Sequence, residues 1–256
     1  MTAKQPLESR ELAAIIPAVA ASDGAGVKLR RSLGSGQNLR HEDNHGNRGD
    51  LGPGDVQWMT AARGIIHSEM PQQTSGRMRG FQLWLNLPAA EKMNPASYRD
   101  ITANEIPRVK LPGIGAAGVI AGTFEHSGTS TPGPISGVTT QPFYFDIHLD
   151  PDAELQTPLP ATHHALLYVY EGEAAVGRAA RALPFRSAGI LGDGAGVTLR
   201  AGKDGTRLLL LAGLPLPEPV VQYGPFVMNT REQIEQAVAD YQRGEFGRQR
   251  AASGGG

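Results

Sequence analysis

The sequence predicts an all-β protein of two halves with one helix near its C-terminus, and three observations predict it. Gly and Pro account for 33 and 19 of the 256 residues, well above their usual joint share of about 12%, so turns between short elements are frequent. Apolar residues come in short runs rich in Val, Ile, Leu, Phe and Tyr, bounded by Gly, Pro, Asn and Asp, which is the strand-and-turn pattern. A clear helical period occurs only once, at residues 230–244.

Bulk chemistry narrows the possibilities. Charged residues make up 19% of the chain and AVILMFWYC 40%, which excludes a highly charged disordered polymer. The net charge of -1 gives no global field toward nucleic acid or anionic lipid. Arg30-Arg31 and Arg77 with Arg79 read as solvated faces rather than nucleic-acid contacts. Cys is absent, so disulfides, thiolate metal sites and cysteine nucleophiles are excluded. No run approaches the roughly 18 apolar residues that a membrane span needs. The stretch Ala13 to Ala21 resembles a secretory signal only in passing, since Glu8, Glu11 and Pro17 interrupt it, and a cytoplasmic protein is expected.

The elements follow in order. Gly52-Pro53-Gly54-Asp55 has Pro and then Gly at the central positions of a type II turn, and a strand should follow from Val56 to Met59. Gly80 to Leu87 reads as a strand and Ala89 to Met93 as a short helix. Ser127 to Gln141, which holds Thr131-Pro132-Gly133-Pro134, reads as a loop or linker. Strands are expected at Phe143 to Leu149, Ala165 to Tyr170 and Arg207 to Leu211. In the helix Thr230 can cap and Gln233 completes a capping box, while Ile234, Ala237, Val238 and Tyr241 form the apolar stripe. Gly244 ends it, and Arg248 to Gly256 should be disordered.

The halves share a faint template of strand, acidic residue plus Gly, strand, Gly-rich turn and strand, the rhythm of an antiparallel barrel or jelly roll. In the second half it runs through Leu166 to Tyr170, Glu171-Gly172, Ile190 to Gly194 and Leu208 to Gly213. The first half has only the later pieces, so it is short of strands.

Of the seven histidines, His67 stands out. In Ile66-His67-Ser68-Glu69 the imidazole and the Glu69 carboxylate are two apart, so on a strand they share a face. Two donors are only part of a metal site, because non-haem iron of the oxygenase type takes two His and one carboxylate. A strand-end His hydrogen-bonded to its neighbouring Glu fits the same spacing. The cluster from His41, Glu42 and Asp43 to His45 has the composition of a solvated hairpin tip, with a second ligand cluster as the other reading. His163 and His164 are adjacent and face opposite ways, so at most one could join a site. His126 and His148 read as surface or satisfied core histidines. A P-loop and a nucleophile-elbow serine are absent, and Gly113 to Gly118 lacks the setting of a dinucleotide fingerprint.

Residues 52–71, Gly-Pro-Gly-Asp-Val-Gln-Trp-Met-Thr-Ala-Ala-Arg-Gly-Ile-Ile-His-Ser-Glu-Met-Pro, closely resemble the signature of the pirin family of bicupins. The likeness continues through Gly80 to Pro88 and Tyr98-Arg99-Asp100-Ile101, returns at Glu218 to Thr230, and extends to Ile16 to Val19 and Asp23 to Val27. It implies two cupin-type β-barrels: an N-terminal domain over 1–126, a connection at 127–141, and a C-terminal domain over 142–247 whose last part folds back onto the first. It also implies Fe(II) in the first barrel, held by two His of a His-Pro-His-Arg-Gly motif together with His67 and Glu69, with Glu69 as the catalytic carboxylate. The implied activity is a dioxygenase of the quercetin 2,3-dioxygenase type acting on a small aromatic, flavonol-like substrate. Some eukaryotic members act as metal-dependent transcription cofactors, so a protein partner is the alternative.

The sequence departs from the family at one place. The His-Pro-His segment belongs between a stretch like Val27 to Leu33 and one like His41-Glu42-Asp43, yet only Gly34-Ser35-Gly36-Gln37-Asn38-Leu39-Arg40 stands there. A few dozen residues are expected to be missing from an incomplete N-terminal barrel, and with them two metal ligands, so metal affinity should fall steeply. Gly34-Ser35-Gly36 suits a flexible spacer at an engineered join as well as it suits a natural turn.

Overall fold

The computed structural model describes residues 7–17, 39–44, 46, 48–72 and 79–247. The expected disordered tail, His45 and most of the short segment before His41 lie outside the described residues. In chain order the strands are β1 (Leu12–Pro17), β2 (Leu39–Asp43), β3 (Arg48–Leu51), β4 (Val56–Thr60), β5 (His67–Pro71), β6 (Ser97–Ile101), β7 (Arg108–Leu111), β8 (Gly115–Ala121) and β9 (Thr123–His126). They continue with β10 (Thr129–Pro132), β11 (Phe143–Leu149), β12 (Glu154–Pro158), β13 (His164–Val176), β14 (Arg181–Leu183), β15 (Ser187–Leu191), β16 (Gly196–Gly213), β17 (Val221–Tyr223) and β18 (Phe226–Met228). The helix α1 spans Arg231–Gln242. The fold is all-β with a C-terminal helix, as the sequence predicts. Among the described residues no helix is long and apolar enough to cross a membrane.

Two compact units divide the described chain, one holding residues 7–17 with 104–215 and the other residues 39–103 with 216–247. In the first, an antiparallel sheet runs β1-β15-β13-β16-β11-β8-β7, with β12 paired to β16 and β14 to β13. Alternation sets its core. In β11, Phe145, Ile147 and Leu149 are buried, while Tyr144, Asp146 and His148 occupy the other face. Leu155, Leu167, Val169, Leu199, Leu208 and Leu210 join the same core with no exposed surface. Phe124 meets Phe145 edge-to-face at 5.2 Å between ring centroids. Each such side chain contributes about 1.5–3 kcal/mol, so this interior is filled by hydrocarbon.

Buried Arg10 fastens the segment before β1 to this unit. Its Nη1 donates to the carbonyls of His163 at 2.8 Å and Gly192 at 3.3 Å, and its Nη2 donates to that of Pro160 at 2.7 Å. Burial lowers the pKa of the guanidinium, and Asp193 opposes the shift.

Four local expectations are corrected. Glu171-Gly172 does not separate two strands: β13 runs through it, with register shifts on either side. Gly172 takes φ +66°, and a Cβ there would strike the Gly205 carbonyl, so the pair forms a bulge instead of a turn. Ser127 and Gly128 both have positive φ, +49° and +79°, and close a two-residue hairpin between β9 and β10, so strand structure enters the expected loop. Residues 83–88 are not a strand. There Asn86 turns its Oδ1 to accept from the Leu87 N–H at 3.0 Å and from Lys92 Nζ. The expected helix at Ala89 to Met93 is a single 3-10 turn, Ala89–Glu91.

The second unit holds a three-stranded sheet, β3-β2-β5, and the pairs β4-β6 and β17-β18. The 52–55 turn forms as expected, with the Asp55 N–H donating to the Gly52 carbonyl at 3.2 Å and Gly54 at φ +85°. Both bonds of the Thr230–Gln233 capping box are present, and Ile234 is the buried residue of α1.

Candidate functional site

His67 and Glu69 both lie on β5, whose only partner among the described residues is β2. The antiparallel register sets Asp43 opposite His67 and His41 opposite Glu69. On the far side of β2, Gly49 of β3 pairs with His41. Directly paired residues share a face, as do residues two apart on one strand. Positions 41, 43, 49, 67 and 69 therefore lie on one face of this sheet.

Cross-strand ion pairs occupy the other face. Arg40 Nε is 3.0 Å from Asp50 Oδ1, and Arg48 Nε is 3.0 Å from Glu42 Oε1. These pairs are substantially exposed, so they stabilise the ladder little but mark the side that meets water. Asp43 and Gly49, on the first face, are half-buried, and so is His67, whose Nδ1 is shielded from solvent.

The pair β4-β6 covers that first face. A Cβ on Gly49 would run into the Asp100 carboxylate and come within 2.9 Å of the Tyr98 hydroxyl, so the glycine is needed for the close approach. Tyr98 donates its hydroxyl hydrogen to Asp100 Oδ1 and accepts from Gln57 Nε2 at 3.1 Å. Burial pushes the Tyr98 phenol up, and the bond to Asp100 adds to the shift while that from Gln57 opposes it. The charges of Asp100 and Asp43 raise it further, which puts Asp43 in the field of this phenol.

The remaining histidines separate from this cluster. His163 is buried, with Nε2 3.0 Å from the Gln141 carbonyl and Nδ1 3.2 Å from Thr162 Oγ1. His164 is exposed at the start of β13, and His126 is half-buried at the end of β9. His148 belongs to a polar network on β11. Arg108 Nη2 donates to its Nδ1 at 2.8 Å, which leaves the proton on Nε2, 3.1 Å from Asp146 Oδ2 and 2.9 Å from Tyr170 Oη. Burial disfavours ionised Asp146, yet the hydrogen bonds of His148 and Tyr170 and the charge of Arg108 outweigh it and hold its pKa below the ordinary value. Sequence reasoning passed over Gln57, Tyr98 and Asp100. The i, i+2 spacing of Tyr98 and Asp100 was the available signal.

An iron held as the resemblance implies needs four protein ligands, of which His67 and Glu69 are two. A pair of donors falls short of a tight site. Among the described residues no group of three or more His, Asp and Glu side chains is placed to hold a metal ion. The family's ligand set does not fit this chain.

The family model Pirin matches residues 32–85, and the model Pirin C-terminal cupin domain matches residues 144–247. A Caulobacter vibrioides protein named pirin-like is 46% identical over 81% of this chain and 73% of its own length. A Vibrio cholerae relative, provisionally named a quercetin 2,3-dioxygenase, is 34% identical over 93% of this chain and 98% of its own length. That alignment runs over 280 positions, more than the 256 residues here, so the relative has residues without a counterpart in this chain. The crystal structure of quercetin 2,3-dioxygenase from Acinetobacter baumannii superposes with a TM-score of 0.75 at 32% identity, covering 92% of this chain and 84% of that one.

Proposed function

Because the chain belongs to the pirin family of cupin proteins, we propose that its activity is that of a metal-dependent dioxygenase of the quercetin 2,3-dioxygenase type, impaired by loss of the segment that carried two metal ligands. The metal in that reading is Fe(II), the substrate a small aromatic compound of flavonol type, and the location cytoplasmic. His67 and Glu69 are the retained ligands.

One observation carries the reading. The strand that bears both retained ligands, β5, is at the edge of its sheet among the described residues, where a further ligand-bearing strand would pair. Seven residues separate Leu33 from His41, too few to supply one with its turns. The Vibrio relative's surplus positions support the same reading.

The test is iron analysis of the purified full chain followed by oxygen uptake with quercetin after anaerobic Fe(II) loading. Uptake at the level of a protein-free control is expected. Uptake in stoichiometric turnover with quercetin would refute the impairment.

A further inference from the structure

The strand β5 stands at the end of the sheet β3-β2-β5, with β2 as its partner among the described residues. The proposed loss of a ligand-bearing strand leaves that edge to other chains. Its exposed side chains read alike in both directions about Ser68: apolar Ile66 lies two positions before it and apolar Met70 two positions after it. We infer that β5 is an interface between two copies of this chain, paired antiparallel and edge to edge about a two-fold axis at Ser68. The inference rests on the proposed loss of the strand.

The main chain suits this pairing. The Asn44 N–H donates to the Ile66 carbonyl at 2.9 Å, and the Ile66 N–H donates to Asn44 Oδ1 at 3.0 Å, so residue 66 turns its main-chain groups toward β2. Alternation along the strand turns those of 68 and 70 the same way and those of 67 and 69 outward. An axis at Ser68 then sets residue 67 of each copy against residue 69 of the other. Each such pair is of the hydrogen-bonded kind and exchanges both of its N–H to carbonyl bonds.

The side chains suit it too. Residues 66, 68 and 70 share the face of the Arg40–Asp50 and Arg48–Glu42 ion pairs, and Ile66 is 46% and Met70 60% exposed. Under the two-fold, Ile66 of each copy lies directly opposite Met70 of the other, with Ser68 opposite Ser68. These are the non-hydrogen-bonded positions, where Cα atoms are about 4.5 Å apart and side chains meet most closely. The neighbouring registers of the same phase set Ser68 against Ile66 or Met70 instead, so the apolar pairs select this one. The two ion pairs are each neutral within a copy, so they bring no like charge to the axis. A short strand edge buries less than the ~1,200 Å² of a standard interface, so this dimer exchanges with monomer.

Sedimentation equilibrium of the full chain over about 1 to 200 μM tests the inference. The parent should pass from the mass of one chain toward that of two. Met70→Lys should weaken the association at least about tenfold. Adding Ile66→Glu to Met70→Lys sets opposite charges across the axis and should restore most of it, which a general loss of apolar surface would not. Both positions are exposed, so the variants should fold, and melting curves check that they do. Hydrogen exchange in the parent reads the same interface without substitution: the amides of residues 67 and 69 should exchange more slowly as concentration rises. A chain that stays monomeric throughout, a Met70→Lys variant that associates like the parent, a double variant no tighter than Met70→Lys, or exchange at 67 and 69 that ignores concentration would overturn the interface. Oxygen uptake with quercetin judges the impaired dioxygenase separately, so the two readings fail independently.

Discussion

Asn44 and Ile66 close the β2–β5 ladder with two hydrogen bonds: the Asn44 N–H donates to the Ile66 carbonyl at 2.9 Å, and the Ile66 N–H donates to Asn44 Oδ1 at 3.0 Å. They lie one residue beyond the Asp43–His67 pair, so they hold that register against slippage. Asn44→Ala removes one of the two bonds and should cost about 1 kcal/mol in urea unfolding. An unchanged unfolding midpoint would show that the ladder is held elsewhere.

Arg10 should matter more to stability than any exposed charge. The side chain is buried and its three carbonyl contacts, one buried and two part-buried, are charge-assisted, so Arg10→Ala should cost about 2–4 kcal/mol. Hydrogen exchange should speed up first in β1. Arg10→Lys should recover little of the loss, because one ammonium cannot span the fork that reaches Pro160, His163 and Gly192. Full recovery by Lys would mean that charge alone matters.

His163 gives stability a sign with pH. Burial holds its pKa below the ordinary 6.5, against the raising effect of its bond to the Gln141 carbonyl and with a smaller lowering from Arg10. The unfolded chain then binds the proton more readily than the folded one. The contribution is therefore fully present above about pH 6.5 and is lost as pH falls below it. Urea midpoints measured from pH 7.5 to 5 should decline, and His163→Gln should flatten part of the decline. A parallel slope in the variant would assign the effect to another group.

Leu208, with no exposed surface in the filled interior, should lose about 2–5 kcal/mol as Leu208→Ala, read by chemical denaturation. At the other unit's helix, Thr230→Ala removes the cap that accepts from the Gln233 N–H and should cost about 1 kcal/mol. Circular dichroism should show fraying of α1 without loss of the sheets. Equal losses in the two variants would contradict the difference between a packed core and a surface cap.

Legibility followed locality. The Gly52–Asp55 turn and the Thr230–Gln233 box were readable because each is chemistry among four consecutive residues. The strand at Phe143–Leu149 was readable because its alternation is complete. The pairing of His41 with Glu69 was not, since register between strands 28 residues apart depends on Asn44, on Ile66 and on which face meets water. Tyr98 and Asp100 came to the site only through the close approach at Gly49, which no spacing along the chain encodes. Gly172 misled because acidic-Gly signals a turn and a bulge alike, and the Ser127-Gly128 hairpin was hidden in a polar stretch that also fits a loop.

The most direct test grafts into this chain, between Leu33 and His41, the corresponding segment of the Vibrio cholerae relative, and compares oxygen uptake with quercetin by both forms after identical Fe(II) loading. The grafted form should consume oxygen at least about tenfold faster than the chain as it stands, which should remain near background. Equal rates in the two forms, well above background, would show that the chain needs no further ligands and would contradict the account.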